Sequence, residues 1–249
     1  MARSWSALRK WDAGLLAEGV AEAKRAVAIA PDYAPGHAML AYALAHAYLV
    51  IPEDPAEVRR IRAIAEHALT LAPDDASVLG SAGRALSIVG YPEEGVRHTG
   101  RAVRKAPGSG ILHWQHGGVC VMLNRLEEAL SHLKTAERLM PGSHLMWVAK
   151  GWRATVYREL NRWAEADAAI DECISLNPSF GYGYVIKALV AVRAGKDAEA
   201  RGHVETARRL GWEIAQAEQL WRRLYPNSPA LEADIATIRA LYAATKPGA

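Results

Sequence analysis

Asn124-Arg-Leu-Glu-Glu-Ala-Leu-Ser-His-Leu-Lys-Thr-Ala-Glu-Arg-Leu-Met-Pro141 holds the unit from which most of the chain is built. It opens on a residue that tolerates positive φ, as the end of a helix often requires. Two acids follow where the positive end of the next helix dipole would favour them, and then a small residue that lets two helices approach. Proline closes the phrase because it cannot continue a helix, so the chain must turn there.

The same phrase recurs on either side. Gly14-Leu-Leu-Ala-Glu-Gly19, Gly90-Tyr-Pro-Glu-Glu-Gly95, Asn161-Arg-Trp-Ala-Glu-Ala166 and Gly195-Lys-Asp-Ala-Glu-Ala200 share its pattern. Gly14, Gly90, Asn124 and Asn161 each stand 17 residues before a proline, namely Pro31, Pro107, Pro141 and Pro178. With Pro73 these prolines are separated by 42, 34, 34 and 37 residues. In the Gly195 copy the proline position is Trp212, which marks a divergent terminal unit.

Small residues also keep register. Ala26, Ala68, Ala102, Ala136 and Cys173 each lie five residues before their proline, and Ala41, Gly83, Gly117 and Gly151 hold the matching place in the first helix of a pair. Between them apolar residues recur three and four apart, as in Ile61, Ile64, Ala65, Ala68, Leu69 and Ala72, which is one face of a helix. The reading is all-α, with roughly thirteen or fourteen helices and no strand.

A helix-turn-helix period of 34 residues with small residues at these places resembles the tetratricopeptide repeat (TPR). Trp147 and Gly151 match the family's first helix, and Ala129, Ala136 and Pro141 its second. The resemblance implies an α-solenoid of about five to six antiparallel helix pairs with a C-terminal capping pair. One superhelical domain over 1–249 is expected, with a partial repeat at 1–34, repeats over 35–212 and a cap at 213–249 that breaks at Tyr225-Pro-Asn-Ser-Pro229. About eight extra residues around Val50 to Pro55, and a first helix about three residues longer after Pro141, should make the array locally irregular. Ala26-Val-Ala-Ile-Ala-Pro-Asp-Tyr-Ala34 and Ser175-Leu-Asn-Pro-Ser-Phe180 look like the TPR half of bacterial class III nucleotide cyclases and winged-helix regulators.

In such arrays the first helices of successive pairs line a concave groove. Offset mapping then assigns the partner-binding groove to Tyr42, His46, Arg84, Trp114, Trp152, Tyr182 and Arg193. Tyr, Trp and Arg join a large contact area to a polar handle and are enriched at binding hot spots. The competing reading is that these aromatics pack between adjacent units.

His113, His116 and Cys120 fall at i, i+3 and i+7 on one helix, the one arrangement resembling a metal site. It lacks a fourth ligand, and the expectation is packed or solvated histidines, with no metal and no cofactor. Glu93-Glu94 and Glu127-Glu128 recur with the repeat phrase and read as solvated helix starts. No phosphate loop, nucleophile elbow or His-Glu-x-x-His helix is present, so no catalytic residue and no enzyme are expected.

A formal charge of +3, with Lys and Arg interspersed among Asp and Glu, argues against a dedicated nucleic-acid binder. The basic clusters Arg59-Arg60-Ile-Arg62, Arg101 with Arg104-Lys105, Arg208-Arg209 and Arg222-Arg223 would have to converge on one face with stacking aromatics to bind nucleic acid. The second and third lie in last helical turns, where cations favour the negative end of the dipole. The apolar stretch from Ala38 to Ile51 is shorter than the roughly 20 residues needed to span a membrane. Two cysteines make no disulfide framework, and with no secretory pattern at the start a cytoplasmic setting is expected. The functional expectation is a scaffold that binds a protein or peptide partner. The alternative is a sensory module that binds a small ligand or nucleic acid. Neither partner identity nor oligomeric state is legible.

Overall fold

The computed structural model describes residues 13–49, 54–143 and 146–245. Among them are thirteen helices and no strand. The contact pattern divides the chain into two units, Met1–Met140 and Pro141–Ala249.

In the first unit α1 (Ala13–Ile29) precedes three helix pairs: α2 (Ala34–Tyr48) with α3 (Pro55–Leu71), α4 (Ala76–Ile88) with α5 (Pro92–Lys105), and α6 (Gly110–Met122) with α7 (Leu126–Leu139). Each helix packs on its successor, and α2, α4 and α6 also pack in a row. The second unit comprises α8 (Met146–Glu159) with α9 (Trp163–Leu176), α10 (Gly181–Arg193) with α11 (Asp197–Arg209), and α12 (Ile214–Leu224) with α13 (Leu231–Ala244).

The repeated phrase does locally what its chemistry requires. Asn124 and Asn161 have φ of 55° and 57°, and Gly90, Gly195 and Gly211 of 99°, 71° and 81°. At each, the next residue's N–H reaches back over the helix end, as Arg125 does to the Cys120 carbonyl at 2.8 Å and Arg162 to Tyr157 at 2.8 Å. This is the Schellman closure, and it satisfies carbonyls that a helix end would otherwise leave unpaired. Trp212, in the proline position, follows the same closure at Gly211, with its N–H on the Ala207 carbonyl at 3.0 Å. The first copy differs, because α1 starts at Ala13 and takes Gly14 into its opening turn.

Before the prolines, Ala72, Ala106, Met140 and Asn177 leave the helical region, with φ between −127° and −144° and ψ between 48° and 83°. A following proline disfavours the α region there. Asp75 then caps α4 through the N–H groups of Ser77 and Val78 at 2.8 and 2.9 Å. The longer repeat after Pro141 puts only one added residue into its helix: α8 has 14 residues against 13 in α6. It begins five positions after Pro141, where α6 begins three after Pro107. Of the insertion near Val50 to Pro55, residues 50–53 lie outside the described residues, and α3 starts at Pro55, capped by Asp54.

First and second helices of a pair are buried differently. α4 and α6 are buried on nearly every side, while α3 buries only Ile61, Ala65 and Ala68. A helix held between the preceding and following pairs has no solvent face, so it reads as apolar all round; an outer helix keeps one apolar stripe. The small positions sit where helices touch. Ala68, Ala102, Ala136 and Cys173 are fully buried, and a methyl on Gly117 would come within 3.1 Å of Leu133 Cγ.

Candidate functional site

The structure puts six of the seven groove residues in the interior. Tyr42, Arg84 and Tyr182 are 0, 2 and 4% exposed, and His46, Trp114 and Trp152 are buried as well. In the first unit Tyr42 stacks on His46 with centroids 4.2 Å apart. The Arg84 guanidinium lies against Gly118 and meets Met122 Sδ at 3.3 Å, so these side chains join successive first helices.

In the second unit the chain's own C-terminal pair occupies the aromatics. Trp221 of α12 donates its indole N–H to the Tyr182 hydroxyl, and the Tyr225 ring sits 5.8 Å from Trp152. Behind them Arg158 is buried, bonded to Asp234 Oδ2 at 2.7 Å and paired with Glu159. Ser228 donates to the other Glu159 oxygen at 2.7 Å. The pair 213–249 was expected to cap the array's end, and it also reaches back across α10 to α8. For Tyr42, His46, Arg84, Trp114, Trp152 and Tyr182 the packing reading therefore replaces the exposed-groove reading.

Arg193 is the exception. It is exposed, and its guanidinium stands over the Trp163 ring at 5.2 Å. Both line a cleft of about 360 Å³ in the second unit, together with Leu189, Val192, Asp234 and Thr237. An Arg over a half-buried Trp beside aliphatic side chains combines charge, stacking and apolar contact in one opening.

The histidines of α6 separate into two groups. His113 Nε2 meets the Pro107 carbonyl at 3.0 Å and its Nδ1 meets His132 Nδ1 at 2.8 Å. His116 instead turns to Thr99 and to Glu128 of α7. The set expected from spacing thus loses His113 and gains Glu128. A signal for Glu128 was available: it stands as far after the Asn124 turn as Cys120 stands before it, and antiparallel helices bring such positions together. Burial, with Glu128 adding to it, pushes the Cys120 thiol up to about 12, so it is no exposed, activated nucleophile.

The basic clusters are spread among partners. Arg62 pairs with Glu66 and Glu94, Arg101 and Lys105 share Asp74, and Arg222 pairs with Glu232. No described helix is long and apolar enough to cross a membrane.

His46 yields a pH prediction. Burial, and then the nearby Arg84 charge, hold its pKa down to about 3 from an ordinary 6.5. Between those values the unfolded chain binds a proton that the folded chain does not. The stability His46 contributes is therefore complete above 6.5 and is lost as pH falls toward 3, by up to about 1.4 kcal/mol per pH unit. Urea midpoints at pH 7 and pH 5 should differ accordingly, and His46→Gln should flatten the dependence. An unchanged slope in that variant would remove His46 as a source.

No protein-family model matches the sequence, and no curated protein matches it. Solved structures do. PilW, a widely conserved type IV pilus biogenesis factor, is 15% identical, with 83% of this chain and 92% of that one aligned at a TM-score of 0.61. TTC0263, a thermophilic TPR protein of Thermus thermophilus, is 20% identical over 74% of this chain and 92% of its own, TM-score 0.54. YrrB, a TPR protein with an unusual peptide-binding site, is 17% identical over 78% and 95%, TM-score 0.51. The fold is that of the tetratricopeptide repeat.

Proposed function

We propose that this TPR-fold chain is a non-catalytic protein-binding module, and that it takes a short extended segment of its partner in the cleft at Arg193 and Trp163. The observation that carries this reading is the exposed Arg193 guanidinium over Trp163, beside Leu189 and Val192, on a first helix of the array. A segment with an acidic side chain next to an apolar or aromatic one matches that chemistry. The peptide-binding site named for YrrB supports the class of ligand. The phrases shared with cyclase-linked and winged-helix-linked arrays favour a bacterial regulatory setting.

A display selection of random peptides on the wild-type chain tests it, followed by calorimetric titration of the enriched sequences. Enriched peptides should carry the acidic and apolar pair and lose binding to Arg193→Glu with Trp163→Ala, a variant whose circular dichroism should match the wild type. Equal binding to that folded variant would place recognition elsewhere, and no enrichment on the wild type would remove the peptide reading.

A further inference from the structure

His116, Cys120 and Glu128 bring an imidazole nitrogen, a sulfur and a carboxylate oxygen within 4.8 Å of one another, from two helices of one hairpin. His116 and Cys120 are four positions apart, so both point from the same face of α6. Glu128, in the first turn of α7, faces them, with its Oε1 at 3.5 Å from His116 Nε2. Ligand atoms around a tetrahedral zinc ion stand about 3.3–3.6 Å apart, given metal–ligand bonds of about 2.0–2.3 Å.

Hydrogen bonding accommodates the imidazole tautomer a metal needs. The Thr99 hydroxyl lies 2.9 Å from the Gly95 carbonyl and 2.8 Å from His116 Nδ1. When it donates to the carbonyl it accepts from Nδ1–H, and the Nε2 lone pair then faces Cys120 and Glu128. A metal-ligating histidine is held in this way by a partner on its other nitrogen. The His132 ring stands edge-on to His116 with centroids 4.6 Å apart and fixes its plane.

We propose that His116 Nε2, Cys120 Sγ and a Glu128 oxygen form a zinc-class metal site that pins α6 to α7, with Thr99 as its positioning residue and solvent in the fourth position. One sulfur, one nitrogen and one oxygen suit a borderline cation such as Zn²⁺ better than Mg²⁺ or Ca²⁺, which take oxygen ligands. On binding, the Cys120 S–H bond breaks, a sulfur–metal bond forms and the proton passes to solvent. Cys120 and His116 are buried, while the Glu128 side chain is 42% exposed and gives the cation its way in. The Arg125 guanidinium, 3.8 Å from Glu128 Oε2, leaves Oε1 for the metal.

Cobalt(II) titration of the chelator-treated, reduced full-length chain tests this directly. The expected result is a thiolate-to-cobalt charge-transfer band that saturates at one ion per chain and disappears when zinc is added. Glu128→Gln changes an exposed side chain and should keep the fold, yet weaken the band's binding at least tenfold. Thr99→Val should weaken it by about 10- to 100-fold without removing a ligand. Cys120→Ser should abolish the band, whereas Cys173→Ser should keep it. Bound zinc should also slow alkylation of Cys120 and not of Cys173, a readout that does not depend on any variant folding. No band in the wild type, or a band unchanged in Glu128→Gln, would overturn the site.

Discussion

Gly95→Ala should destabilise the chain by about 3 kcal/mol, against the sign that helix propensity alone requires. Alanine in place of a helical glycine gains about 1 kcal/mol. At Gly95, however, the new methyl would lie closer than 3.0 Å to the Gly83 backbone oxygen and to Ser87 Oγ. A backbone oxygen cannot move aside as a side-chain end can, so α4 and α5 would have to separate. The contact is reciprocal, because a methyl on Gly83 would sit 3.0 Å from the Gly95 carbonyl oxygen. Ser87 is also committed, donating to the Gly83 carbonyl at 2.8 Å. Overpacking costs typically about 1–3 kcal/mol and sometimes more, and this case has no soft neighbour. Gly202, on α11, has nothing within 4 Å of the added methyl, so Gly202→Ala should stabilise by about 0.5–1 kcal/mol. Gly117→Leu lies between: its neighbour Leu133 can yield, and a loss of roughly 1–3 kcal/mol is expected. Denaturant midpoints of the three variants give the order, and a stabilised Gly95→Ala would show that the two helices are not in backbone contact.

The same positions show why the fold was legible. Turn residues, prolines and small residues act locally, through φ, a missing N–H and the absence of bulk, so their spacing can be read along the chain. Asn124, Asn161, Gly90 and Gly195 adopt the positive φ their places in the phrase imply. The groove was less legible because exposure depends on what lies opposite. Tyr182 and Trp152 occupy the expected helix positions, but Trp221 and Tyr225 cover them from segments some forty and seventy residues away. No periodicity encodes that return. Glu128 was hidden for a different reason: a glutamate stands at its place in every copy of the phrase, and the copy facing His116 and Cys120 sets that acid beside an imidazole and a thiol.

Arg158→Met should cost about 3–5 kcal/mol at neutral pH, because it leaves buried carboxylates without their cation. The Arg158 and Glu159 side chains are 4% and 2% exposed, and Asp234 is 15% exposed. One guanidinium thus serves two acids in a largely dry place. Burial raises the Asp234 pKa, the Arg158 charge opposes that, and the Glu159 charge reinforces it. A carboxyl whose pKa is higher folded than unfolded binds its proton more tightly in the folded state. Its contribution therefore improves as pH falls through the folded value and worsens as pH rises. Removing Arg158 takes away the larger of the two charges that hold this pKa down, Arg193 being the other, so the penalty in Arg158→Met should shrink at pH 5 and grow at pH 8. A variant that also replaces Glu159 and Asp234 with leucine should recover most of the loss, since apolar replacement of a whole buried ionic group is often neutral. Urea unfolding of both variants at the two pH values decides the matter. A penalty independent of pH, or no recovery in the triple variant, would mean that the guanidinium acts by packing against Trp221 and Tyr225, 5.8 and 5.9 Å away, rather than by its charge.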